Sequence, residues 1–132
     1  MTKPGKIILD HGSGGKISHH LTTDFILPTF NNPILADLDD GAIFTIGKER
    51  FAFSTDSYTV DPIFFPGGSI GDLAINGTVN DVTMCGATPL YLSVGLILEE
   101  GFPIHDFKRV MEEMGRAAAQ AGVKVVTGDT KV

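Results

Sequence analysis

Apolar and polar positions along this chain recur at spacings that divide it into elements. Lys6-Ile7-Ile8-Leu9 is a short apolar run, read as a strand or an ordered lead-in segment. It runs into Asp10-His11-Gly12-Ser13-Gly14-Gly15-Lys16, a loop by composition. Ile17, Leu21 and Phe25 then return at helical spacing, and Pro28 is expected to stop that helix. Residues 31–41, rich in Asn, Asp and Pro, read as loop. Alternation resumes at Ala42, Phe44 and Ile46 and again at Phe51 and Phe53, with Gly47-Lys48-Glu49 between them. That pattern predicts a hairpin, with Asp56 following its second strand. The stretch from Asp61 to Gly68 sets two prolines and two glycines around apolar residues and reads as an ordered, partly buried loop.

From Ile70 to Cys85, Leu73, Ala74, Val82 and Cys85 fit one helix face, although Gly71, Gly77, Thr78 and two asparagines lower the intrinsic propensity. A helix is predicted there, ended by residues 86–89. Leu90 to Leu98 is nearly continuous in apolar residues and suits a central strand. The clearest helix spans Pro103 to Ala121. Ile104, Phe107, Val110, Met111, Met114, Ala117, Ala118 and Ala121 form its apolar face, with Pro103 suited to the first turn and Gly122 to the stop. Val123 to Thr127 is expected to be a further buried strand, followed by Gly128-Asp129-Thr130-Lys131-Val132. There is no internal repeat and no evident linker. A chain ending directly after a strand and a Gly-Asp pair points to a piece of a longer protein.

Composition narrows the function classes. The 132 residues suit one compact domain, and 42% hydrophobic with 20% charged residues is ordinary for a soluble globular chain. A formal charge of -6 with no block of Lys or Arg disfavours extended contact with nucleic acid. A local phosphate site remains compatible with it, since backbone N–H groups and a metal ion can hold phosphates. The single cysteine, Cys85, can form no internal disulfide and no cysteine-based zinc site, and its apolar neighbours mark it as packing. No signal peptide and no apolar stretch of membrane-spanning length is present, so a cytoplasmic location is expected.

Three aspartates share a context, beside the end of an element and next to small or hydroxyl residues. They are Asp56 in Ser54-Thr55-Asp56-Ser57, Asp81 in Asn80-Asp81-Val82, and Asp129 in Thr127-Gly128-Asp129-Thr130. Mg²⁺ shared with phosphates needs carboxylates so placed, although turn formers and caps occupy the same positions. Asp72, Asn76 and Asn80 fall four apart and form a polar stripe on a mostly apolar helix, with Asp81 about 100° further round. Short amides beside glycine suit close approach by a polar ligand; a hydrogen-bonded buried helix explains them as well. Gly12-Ser13-Gly14-Gly15-Lys16 before a helix offers N–H groups to a phosphate, without the spacing of a Walker A loop. Lys16 and Lys131 are phosphate partners or ordinary surface lysines. His19 and His20 point about 100° apart on a helix and cannot easily share one ion.

Together these segments resemble the superfamily of aminoimidazole-ribonucleotide synthetase, selenophosphate synthetase and thiamine-monophosphate kinase, and within it the HypE family of hydrogenase-maturation proteins. The resemblance is carried, in family order, by His11-Gly12-Ser13-Gly14-Gly15, Phe53-Ser54-Thr55-Asp56-Ser57-Tyr58, residues 61–68, Gly77-Thr78-Val79-Asn80-Asp81-Val82 and Val126-Thr127-Gly128-Asp129-Thr130-Lys131. It implies an α+β domain whose mixed β-sheet packs against helices and pairs across a homodimer into a barrel. It implies ATP with Mg²⁺, the metal near Asp56, Asp81 and Asp129, and nucleotide contacts from Gly12, Ser13, Gly14, Gly15, Asn80 and Lys131. Asp81 and Asp56 would also serve in catalysis.

Members of that family dehydrate a carbamoyl group on their own C-terminal cysteine. ATP phosphorylates the amide oxygen, loss of phosphate leaves a thiocyanate, and the cyanide passes to the iron of a nickel–iron hydrogenase. The implied partners are the carbamoyltransferase and the iron–cyanide assembly proteins of that pathway. The second domain and its terminal cysteine are missing from these residues, and Cys85 is no substitute. Full turnover by this chain alone is therefore not expected. Two other readings stay open: a small-molecule kinase or synthetase of the same superfamily, and a noncatalytic dimerisation module.

Overall fold

The computed structural model describes residues 5–132, which gather into two compact units, one reaching Asp39 and one from Asp40 to Val132. In the first unit, Leu9–His11 form a single 3₁₀ turn where the apolar run suggested a strand or lead-in. Helix α1, Gly15–Leu21, continues through a π-type turn at Thr22–Ile26 into α2, Leu27–Phe30. Pro28 therefore does not stop the helix. It sits in the first turn of α2, where its missing N–H costs least, and the wider turn lies directly before it. Thr22, Thr23 and Thr29 return their hydroxyls to carbonyls four residues back, a bond that tends to bend helices.

The second unit holds the sheet elements. Strands β1 (Ala42–Ile46) and β2 (Glu49–Phe53) form the expected hairpin, with Phe44 opposite Phe51 and their rings stacked at 6.0 Å. The Pro/Gly-rich stretch contains a miniature hairpin, β3 (Phe64–Phe65) and β4 (Gly68–Ser69), turned by Gly67 at φ 95°. Helix α3 follows at Ile70–Met84. Its start is secured by a capping box, in which Ser69 Oγ accepts from the Gly71 N–H while Asp72 Oδ2 accepts from the Ser69 N–H at 2.9 Å. Those bonds outweigh the glycines and asparagines within the helix.

Strand β5 (Tyr91–Ile97), helix α4 (Ile104–Ala121) and strand β6 (Lys124–Lys131) make a crossover unit with β5 and β6 parallel. Gly122 closes α4 in the left-handed conformation, as its position predicts. The core joins Ile75 of α3, Leu92 of β5, Met114, Ala117 and Ala118 of α4, and Val123. Of the apolar face read for α4, only Ile104 stands fully outside, at 79% exposure.

Two expectations are corrected here. Among the described residues the strands form three two-stranded sheets rather than one mixed sheet. And β6, expected to be buried, is exposed along its whole length, while β5 alternates buried and open positions. Leu92 and Val94 of β5 pack with Ile75 of α3 and with Met114 and Ala117 of α4.

Candidate functional site

Asp56 lies three residues beyond β2, in a segment that is neither helix nor strand, and Asp81 lies in the last turn of α3. The fold brings these two carboxylates into one electrostatic neighbourhood. Burial holds the Asp81 carboxyl above its ordinary value, and the charges of Asp56 and Asp40 push it further up; the nearby Ser54 hydroxyl opposes them. A helix C-terminus is itself a poor place for a negative charge. Asp40 was missed in the sequence because it sits in an Asp-rich loop resembling any solvated turn. The available signal was its position beside Gly41, at the start of β1. Ser54 ties that corner together, its hydroxyl donating to the Asp40 carbonyl at 2.7 Å.

Both oxygens of Asp56 are held. Oδ1 accepts from the Ser57 N–H at 2.8 Å, and Oδ2 accepts from the Tyr58 hydroxyl at 2.6 Å. Burial, together with the bond to Asp56 and its charge, pushes the Tyr58 phenol up to about 12, so it remains a donor at any working pH. Asp56 lines two cavities of about 550 and 590 Å³. The first runs past Ser54, Cys85 and Ser93 and the second past Tyr58, Thr78 and Met114.

The other expected site residues are placed as follows. Asn80 is exposed on α3 next to Asp81, whereas Asp72 belongs to the capping box and leaves the polar stripe without its first member. Asp129 lies within β6, opposite Gly95 of β5, rather than past a strand end. Its carboxylate is paired with Lys131 Nζ at 2.6 Å. It is not among the charges acting on Asp81. In the first unit, Gly14 and Gly15 take φ of 76° and 74° at the start of α1, conformations that favour glycine. Ser13 turns its hydroxyl back to the Leu9 carbonyl, and the Ile8 N–H donates to His11 Nδ1, so both side chains serve their own turn. Cys85 is half-buried, and a Cβ on Gly41 would come within 2.9 Å of its sulfur.

Among the described residues no three His, Cys, Asp or Glu side chains converge as a ready cage for a metal ion. Magnesium needs no such cage. It is commonly held by one or two carboxylates, with phosphate oxygens and water completing the shell. Asp56 and Asp81, with Asp40 adding negative charge, fit that requirement; a bound cation would relieve the repulsion that burial intensifies at Asp81. Asp129, paired with Lys131, does not join this pair within one chain.

The crossover β–α–β unit, the capped helix α3 with Asp81 in its last turn and Asp56 beyond β2 all fall within the residues matched by one family. The chain belongs to the family of AIR synthase related proteins, matching its N-terminal domain over residues 38–132. Within that class it is similar to carbamoyl dehydratase HypE of Cupriavidus necator, with 48% identity over 98% of this chain. The chain spans 37% of the length of that relative. Among solved structures it is similar to the hydrogenase maturation protein HypE in complex with ATP, at 58% identity and a TM-score of 0.63 over 96% of this chain and 38% of that one. It is also similar to a chain of the HypE–HypF complex, at 45% identity and a TM-score of 0.76 over 85% of this chain and 36% of that one.

Proposed function

We propose that this chain is the nucleotide-binding part of an ATP-dependent carbamoyl dehydratase of hydrogenase maturation. The observation that carries the reading is that Asp56 and Asp40 act electrostatically on Asp81 in a chain nearly half identical to HypE along almost its full length. Asp56 and Asp81 would hold Mg²⁺ against the phosphates of ATP. The ion would supply charge neutralisation at the transferring phosphoryl group. Asp56, fixed by Ser57 and Tyr58, presents its remaining lone pairs in a set orientation, and Asp81 gives up its protonated form more readily once positive charge is nearby.

The substrate would be a carbamoyl group on a cysteine outside these residues. An amide oxygen is a poor leaving group. Once phosphorylated it departs as phosphate, the amide nitrogen gives up two protons, and a thiocyanate remains. Gly12, Ser13, Gly14 and Gly15 are assigned to phosphate contact through their N–H groups, and Asn80, Lys131 and Asp129 to the nucleotide and its metal. The remaining assignments are a homodimer, the carbamoyltransferase and iron–cyanide assembly proteins as partners, and a cytoplasmic location. No helix among the described residues is long and apolar enough to cross a membrane.

Isothermal titration of Mg·ATP into the chain tests this directly. The parent should bind, and Asp81→Asn, still folded, should bind about tenfold more weakly, a loss of about 1.4 kcal/mol. A folded parent that takes up no Mg·ATP would overturn the assignment of the nucleotide site to these residues.

A further inference from the structure

The segment carrying Asp56 has no strand or helix to fix it, and Asp56 itself is exposed. A carboxylate in such a place ordinarily samples several rotamers. Here the second of its two anchors leads into the helix. Tyr58 donates its hydroxyl to Asp56 Oδ2 at 2.6 Å, and that hydroxyl rests against the backbone of α3 at Gly77. A Cβ at position 77 would overlap the hydroxyl oxygen and approach the ring carbon bearing it to 2.7 Å. Glycine inside a helix costs about 1 kcal/mol relative to alanine, so this position runs against helix propensity. What the missing Cβ makes room for is the end of Tyr58.

We propose that Tyr58 is a positioning residue for Asp56, and that the bare backbone of Gly77 sets where its hydroxyl, and through it the Asp56 carboxylate, can lie. The proposal rests on the reading of Asp56 as a ligand of the nucleotide's cation. The linkage runs from the α3 backbone through the Tyr58 hydroxyl to Asp56 Oδ2, while Ser57 holds Oδ1 from the other side. Each carboxylate oxygen spends one acceptor site on a protein donor and keeps another for a cation. A ligand so held has less freedom to lose when the cation arrives. Gly77, which carries no functional group, thereby acts on the metal site through space alone.

The test compares the parent with Tyr58→Phe, Gly77→Ala and the double variant by two readouts. The first is the side-chain carboxyl ¹³C signal of Asp56 without nucleotide, assigned by its disappearance in Asp56→Asn. The second is ATP binding as a function of Mg²⁺, compared with binding in EDTA. Tyr58→Phe should shift the carboxyl signal and raise the Mg²⁺ needed for half-saturation about tenfold, equivalent to 1.4 kcal/mol. ATP binding in EDTA should not change, which a general loss of structure would not spare. Gly77→Ala should reproduce both effects and add little to them in the Tyr58→Phe background, the mark of two residues acting through one contact.

An unmoved carboxyl signal in Tyr58→Phe overturns the proposal, as does an undiminished effect of Gly77→Ala in the phenylalanine background. Should Gly77→Ala not fold, Tyr58→Phe alone decides. A parent that binds no Mg·ATP would remove the nucleotide reading, and a carboxyl signal that still moves would leave the linkage from Gly77 to Asp56 supported.

Discussion

Asp81 carries the clearest conflict between stability and use at a single residue. Its carboxyl is held above its ordinary value, first by burial and then by Asp56 and Asp40, so the folded state favours the protonated form. A raised carboxyl contributes stability below its unfolded value of 3.8, and that contribution is lost as pH rises through the folded value. At neutral pH and without metal, the ionised group therefore works against folding. Asp81→Asn should raise the urea midpoint at pH 7 in EDTA, and the gain should shrink as the pH is lowered through the folded value towards 3.8. A variant less stable than the parent at pH 7 would show that polar contacts of the ionised group outweigh burial and repulsion. The sequence singled out Asp56, Asp81 and Asp129 by their places beside element ends among small and hydroxyl residues, and Asn80 by its place in a polar stripe. It did not single out Asp40 or Tyr58: one lay in an acidic loop, and the other gains its role from a partner nineteen residues along the chain, Gly77.

Helices α3 and α4 owe their positions to small residues at their crossing as much as to their apolar faces. A Cβ on Gly71 would approach the Val110 carbonyl oxygen to 2.6 Å, closer than real contacts allow. Gly71→Ala sets a helix-propensity gain of about 1 kcal/mol against a backbone clash that no rotamer change relieves. Overpacking of that kind costs about 1–3 kcal/mol, so the clash should win. Chemical denaturation should show a lower midpoint for the variant; an equal or higher one would mean that the helices separate freely. Sequence periodicity located both helices, and the face of α4 from Phe107 to Ala121 was legible because its apolar positions recur without interruption. It misjudged Pro28, since a proline also fits the first turn of a helix, and it passed over β3 and β4, which are too short to show alternation.

Within the second unit, Leu92 and Val94 of the β5–β6 pair pack with residues of α3 and α4. Tyr91 and Ile97 of β5 and Val126 of β6 are 66%, 90% and 59% exposed. Two-stranded sheets are marginal when isolated, and exposed large apolar side chains on one of them favour pairing with further strands. The chain is expected to dimerise through this sheet. Sedimentation velocity should find a dimer at micromolar concentration, and Val126→Lys should convert it to monomer with unchanged far-UV circular dichroism. A monomeric parent would remove the sheet from consideration as the contact.

Sequence alone was enough for the order of the elements, the hairpin, the two long helices and the aspartates worth testing, because each depends on neighbours within a few residues or on the character of one side chain. Tertiary structure decided the rest. It brought Asp56 and Asp40 within electrostatic reach of Asp81 while leaving Asp129 with Lys131, seated Tyr58 on Gly77, and left β6 exposed. Local periodicity records which face of an element is apolar. Which carboxylates share a field, and which apolar face is covered, depends on segments brought together only when the chain folds.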